Sequence, residues 1–379
     1  MVVESGLLTT LFVCVRMIAV VKTAVKEEIM TRIIKADENR ELISTNNITL
    51  SEIMKEATEI QSKCMDFTIT GATDRNVKIN DFGGVAYISD DGQLISATIS
   101  RFALGQLCSK IGVPAQYIDK CIKTGRLELV QHNMSSWLSD YNGNLFIRMY
   151  DDSVRGVLSQ RYMVCDTPEI VDVVRDVFPS DDYTIRGFFL SPERFHLRIT
   201  GADILKVSGE DLFAGFSINS SDVGRSQLKV NYILYKQICT NGLCLPRGIG
   251  DLFRQKHIGI TVESFREELK KSLDLVPQIT AKYEQAIEKA RNSGVAIRDF
   301  DNNEEIKEII ASLRKSTGLS EQQADKVITL FDFRVNKSGD FRYENNKWGL
   351  INAITEYSKE LTLERRIELE QQAGGILIA

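Results

Sequence analysis

One alternating segment with a turn signal at each end constrains this chain most. Leu228, Val230, Tyr232 and Leu234 alternate with Lys229, Asn231, Ile233 and Tyr235, the period of two that a strand needs to bury one face. Ahead of it, Asn219, Ser220, Ser221, Asp222 and Gly224 form a turn signal, because short polar side chains satisfy nearby backbone groups and glycine tolerates positive φ. Behind it, Asn241-Gly242, flanked by Cys239 and Cys244, is a dipeptide that closes a hairpin or turn.

Further hairpins are expected upstream: residues 85–88 with 94–98 across Asp90-Asp91-Gly92, 145–150 with 154–158, and 183–190 with 194–199 across Ser191-Pro192. Helical spacing marks 51–63, entered through Thr49 or Ser51. A helix from Ser100 stops at Gly112, and another from Pro114 ends at Gly125; a further helix is capped by Thr167, with Pro168 in its first turn. From Val262 onward the chain turns helical, with segments at 262–275, 278–292, 303–317, 320–331 and 348–372, and Ser320-Glu321-Gln322-Gln323 forms a capping box. The expected class is α+β, a hairpin-rich, mainly antiparallel central sheet with packed helices, followed by a helical C-terminal region. In these terms residues 30–81 are a helical or irregular segment, 82–261 the α+β core and 262–379 the helical region.

Four ordered motifs carry a family resemblance. They are AGFSINSSDVGRSQLKVNYILYKQICTNGLCLP at 214–246, FIRMYDDSVRGVLSQRY at 146–162, the helix TPEIVDVVRDVF after it, and KWGLINAITEYS at 347–358. Together they resemble the phage/plasmid-like family, a domain of unknown function in prophages, phages and plasmids, in which an Asn-Ser turn leads into a strand ending in Cys-x-Asn-Gly. The signature positions here are Asn219, Ser220, Gly224, Cys239, Asn241 and Gly242. The turn departs from the pattern by placing Ser221 where an acidic residue ordinarily follows the Asn-Ser pair. No established activity comes with the resemblance; what it implies is a mobile-element setting, and with it DNA metabolism, recombination, replication or host interference.

With 379 residues, 43% of them hydrophobic, the chain can bury a large core in one or two domains. Seven scattered cysteines lack the spacing of a disulfide framework, so reduced thiols in a cytoplasmic protein are expected. The stretch LLTTLFVCVRMIAVV is broken by Arg16 and is shorter than the ~20 apolar residues of a spanning helix, so no membrane association is expected. Lys26-Glu27-Glu28-Ile29 before Met30 can be encoded by a purine-rich ribosome-binding sequence. Synthesis is accordingly expected to begin at Met30, with residues 1–29 an annotation extension; the alternative is an amphipathic N-terminal helix packed on the domain.

Motifs for chemistry are sparse. Cys239, Cys244 and His257 lack the second close ligand pair of a zinc site, and no phosphate-binding glycine loop or dinucleotide fingerprint occurs, so neither metal nor cofactor is expected. The pairs Asp90-Asp91, Asp151-Asp152 and Asp181-Asp182 sit at expected turns, where aspartate bonds the backbone. Between Ser217 and His257, Arg225, Lys229, Lys236, Arg247, Arg254 and Lys256 outnumber Asp222 and Asp251, an excess of 6 − 2 = 4 in a chain of net charge −5. Tyr232, Tyr235 and Phe253 are interleaved, and alternation places Arg194, His196 and Arg198 on one face of a neighbouring strand. Cations beside aromatic rings suit single-stranded nucleic acid, where phosphates pair and bases stack. The leading expectation is non-catalytic binding of single-stranded DNA, by a possible homo-oligomer, through Arg225, Lys229, Tyr232, Lys236, Arg247, Arg254, Arg194 and Arg198. The alternatives are a metal-dependent enzyme acting on nucleic acid or a nucleotide, using the acidic pairs, and a host-interference protein that binds host or phage proteins.

Overall fold

A computed structural model describes residues 48–79, 84–88, 94–178, 183–207, 210–236, 241–244, 251–257, 259, 261–294, 296–337 and 344–378. The chain divides into two compact units: one spans Ile60–Tyr162, and the other joins residues 48–59 to Met163–Ala379. The division expected at Val262 falls inside the second unit.

The first unit is built on six strands, β1 (Cys64–Ala72), β2 (Val77–Ile79), β3 (Val85–Ile88), β4 (Leu94–Ile99), β5 (Gly143–Tyr150) and β6 (Ser153–Leu158), in the order β1-β5-β6-β4-β3-β2. Every neighbouring pair is antiparallel except β4 and β6. Helix α1 (Leu50–Ser62), whose Ile53 belongs to the core of the second unit, leads into β1, and α2 (Arg101–Ile111), α3 (Ala115–Lys123) and α4 (Leu127–Tyr141) supply Leu104, Ile118 and Met134 to one core with Ile69, Leu145 and Val157 of the sheet. Ser100 caps α2 by accepting from the Ala103 amide, and Gly112, at φ 77, ends it in the left-handed conformation that glycine adopts without strain. Asp151 makes the β5–β6 turn at φ 47, as its residue type leads one to expect.

The second unit holds β7 (Tyr183–Leu190), β8 (Phe195–Val207), β9 (Glu210–Ser220), β10 (Leu228–Lys236) and β11 (Asn241–Cys244) in the order β11-β10-β9-β8-β7, and β12 (Asp251–Gln255) pairs with the first half of β10. All these pairings are antiparallel. One face carries Phe195, Leu197, Ile199, Phe216, Ile218, Leu228 and Val230, which pack with α5 (Thr167–Val177) and α6 (Val262–Asp274). Farther along the same strands Leu212, Tyr232 and Leu234 share a core with α7 (Val276–Arg291), α8 (Asn303–Thr317), α9 (Glu321–Asp332), α10 (Lys347–Tyr357) and α11 (Leu363–Ile378). Sheet and C-terminal helices thus bury their apolar surface in common.

Three expectations are corrected. Asn241-Gly242 lies within β11, opposite Lys236 and Tyr235, so the connection falls at 237–240, outside the described residues. Asp166, not Thr167, caps α5, because its side chain pairs with the backbone of Glu169 while Glu169 Oε2 accepts from the Asp166 amide at 2.8 Å. The helix expected at 348–372 is two helices, separated by a 3-10 turn at Ser358–Glu360 and by Leu361 in extended conformation. The second face of β10 is covered as well: Asn231 and Ile233 have no exposed surface and Tyr235 keeps only 5%.

Candidate nucleic-acid interface

Antiparallel register lines up the second face of this sheet in rows, since directly opposed residues project to the same side. The inner row is Arg198 of β8, Ser217 of β9 and Asn231 of β10. The row beyond it runs Phe189, His196, Asn219, Lys229 and Arg254, across β7, β8, β9, β10 and β12.

The inner row is shut from solvent, with Arg198 at 2% exposure and Ser217 and Asn231 at 0%. Arg198 directs its fork at Glu370 of α11, donating from Nη2 to Oε2 at 2.5 Å and from Nη1 to Oε1 at 3.2 Å. Glu370 has no exposed surface and also accepts from Arg366 Nε at 3.0 Å, with Ser358 Oγ 3.5 Å from Oε1. The turn at Ser358–Glu360 lets α11 bring this carboxylate to the sheet, and Ser358 Oγ also donates to the Thr355 carbonyl at 2.7 Å. Asn231 differs from its neighbours: neither its amide nitrogen nor its oxygen has a hydrogen-bond partner among the described residues.

Proton positions in the adjoining pair follow from its donors. Arg198 Nε donates to His196 Nε2 at 3.2 Å, so Nε2 is the acceptor and Nδ1 carries the hydrogen that reaches Asn219 Oδ1 at 2.5 Å. The Asn219 amide then donates to Ser217 Oγ at 3.4 Å. Burial, reinforced by the Arg198 charge, holds the imidazole well below its ordinary pKa of 6.5, so it is neutral. Unfolding frees it to take a proton below that value. Its contribution to stability is therefore constant above about pH 6.5 and falls at lower pH by up to about 1.4 kcal/mol per unit. Denaturant titrations of wild type and His196→Gln at about pH 7 and about pH 5 check this, with the variant expected to lose less stability on acidification.

The signature turn is held from within. Ser221 Oγ accepts from the Val223 and Arg225 amides at 3.3 and 2.9 Å and donates to the Glu193 carbonyl at 2.7 Å. Gly224 takes φ 74, Asp222 accepts from Thr167 Oγ1 at 3.0 Å, and Ser220 is buried. These residues fix the β9–β10 connection and its approach to α5.

The expected DNA contacts divide accordingly. Lys229 and Arg254 lie opposite each other, with Arg254 exposed and donating to Gln227. Arg225 is half-buried and ion-paired with Glu193 at 2.5 Å, and Arg194 lies over the Phe189 ring at 5.4 Å. Two residues are core components instead: Arg198 is gripped by Glu370, and Tyr232 lies on the apolar face, its hydroxyl 2.6 Å from Thr280 Oγ1 and its ring stacked on Tyr283. A ring with no exposed surface has no face for a base. Lys236 occupies the end of β10, whereas Arg247 and Cys239 lie outside the described residues. Among the described residues no group of acids, histidines and cysteines could hold a metal ion, and no helix is long and apolar enough to cross a membrane. Glu370, Arg366, Asn231 and Ser217 were not singled out from the sequence; the i,i+4 spacing of Arg366 and Glu370 is that of an ordinary solvated helix pair.

Fold and site define an α+β protein whose second unit carries a buried polar row bordered by an opposed pair of cations. The chain belongs to the DUF932 family, a domain of unknown function, which it matches over residues 154–374, more than half its length and inclusive of every residue of that row. No curated protein and no solved structure matches it.

Proposed function

We propose that the second unit binds single-stranded nucleic acid through its phosphates, without catalysis, in the DNA metabolism of a mobile element. One observation carries the reading: Lys229 and Arg254 are directly opposed across β10 and β12. Cations at opposed positions on one face of a sheet can engage neighbouring phosphates of a single strand. Arg225 and Lys256 flank the pair in sequence and add to the local positive charge. The mobile-element setting comes from the resemblance to the phage/plasmid-like family.

Binding of labelled single-stranded and duplex DNA across a salt series tests the proposal. Lys229→Ala and Arg254→Ala are each expected to weaken single-strand binding alike for all sequences, and to reduce the slope of log affinity against log salt by about 0.7. Arg225→Ala should do less, because Glu193 already neutralises that guanidinium. Unchanged slopes in both Lys229→Ala and Arg254→Ala would sink the proposal.

A further inference from the structure

The inner row holds a set of groups that a purely structural layer does not need. Arg198 presents the paired N–H fork that recognises planar or tetrahedral oxyanions, and a second guanidinium, Arg366, converges on the same place. Both are directed at a carboxylate of the chain itself. One ladder position past Ser217 lies Asn231, wholly buried, with two donor hydrogens and an acceptor oxygen that bond to nothing among the described residues. An unmet buried amide is destabilising, and a leucine would repeat its branched skeleton without that penalty. Arg198, Ser217 and Asn231 form one unbroken row, and it adjoins the row that ends in Lys229 and Arg254.

We propose that this row is a phosphate-oxyanion site closed by Glu370, in which the α11 carboxylate occupies the place of the ligand. When α11 withdraws, a phosphate oxygen pair takes over the fork of Arg198, and the Asn231 amide gains the partner it lacks. The ligand class is a phosphate group, either free or within a nucleic-acid backbone. Only the second source rests on the function proposed above. The exchange is one of hydrogen bonds and charge, with no covalent step.

The test uses the full chain as wild type, Glu370→Gln and Glu370→Gln/Asn231→Leu. Thermal unfolding is followed with inorganic phosphate against chloride at matched ionic strength, and single-strand DNA affinity is measured in parallel. Glutamine keeps the shape of Glu370 but gives up its charge. Phosphate, and not chloride, is expected to raise the melting temperature of Glu370→Gln well beyond its effect on wild type, and Asn231→Leu should abolish most of that gain. If the source is nucleic acid, Glu370→Gln should also bind single strands roughly tenfold more tightly, a change of about 1.4 kcal/mol. Phosphate-specific stabilisation with no DNA binding by any variant would leave this site standing and overturn the nucleic-acid reading. Equal responses to phosphate and chloride would overturn the site, even if Lys229→Ala still weakened DNA binding. Should Glu370→Gln fail to fold, hydrogen exchange on wild type decides: phosphate is expected to speed exchange across 363–378, and no phosphate-dependent change there overturns the proposal.

Discussion

Replacing Arg198 with methionine is expected to lower the unfolding free energy by about 3–5 kcal/mol, because it deprives a fully buried carboxylate of the guanidinium that holds both its oxygens. The pair contrasts with the solvated bridges elsewhere, such as Lys307 with Glu304, where both side chains are more than two-thirds exposed and screening leaves little net energy. Burial makes the two partners interdependent. Accordingly Arg198→Met/Glu370→Met should recover part of the loss, since both fully buried charges are removed while Arg366 gives up its carboxylate. Denaturant titration of wild type, both single variants and the double variant measures this coupling directly. A single-variant loss under about 1 kcal/mol would mean that solvent reaches the pair and that α11 does not seal the row.

Asn231→Leu is expected to act in the opposite direction, raising stability in phosphate-free buffer by about 1–3 kcal/mol. Asparagine at this position fills space with polar atoms that have no partner among the described residues, between strands whose backbone bonds are already made. Leucine repeats the branched heavy-atom skeleton of asparagine and has no polar group to leave unsatisfied. The midpoint of denaturation should rise with its slope unchanged, which separates a stability gain from a change in the compactness of either state. A loss of stability would show that the amide is satisfied in solution, by ordered water or by a bound anion that copurifies with the chain.

The periodic parts of this architecture were legible in the sequence. Leu228 to Leu234 emerged as β10 because its apolar residues repeat every second position, and the hairpins β3–β4, β5–β6 and β7–β8 followed from alternation interrupted by turn residues. Helix α8 was readable to the residue, and α9 was fixed at its start by the reciprocal bonds of Ser320 and Gln323. Strand β1 was missed because Cys64 follows α1 with only Lys63 between them and no glycine or proline to mark the change. Helix α4 was missed because Arg126 at its N-cap makes no side-chain capping bond. The break between α10 and α11 has no glycine or proline either; it rests on Ser358 bonding back to Thr355 and on a tertiary carboxylate.

The candidate site was legible only in fragments. His196 and Arg198 could be placed on one face by alternation, yet nothing local showed that this face would be covered. Its cover comes from Glu370, 172 residues along the chain. Tyr232 illustrates the converse error: an aromatic residue among cations reads as a stacking platform, but its position in the period puts it on the apolar face against Tyr283. Composition near a strand suggests chemistry, whereas the parity of each position decides which side of the sheet receives it.

That separation of 172 residues has a kinetic meaning during synthesis. At about 5–20 residues per second, roughly 9–34 s pass between the addition of Arg198 and that of Glu370. Strands β7 to β10 are complete early in that interval, so the sheet can assemble with His196, Arg198 and Asn231 still open on the ribosome. The nascent chain thus passes through a period in which its arginine fork is offered to any passing polyanion, and α11 is the last described element to arrive and close it.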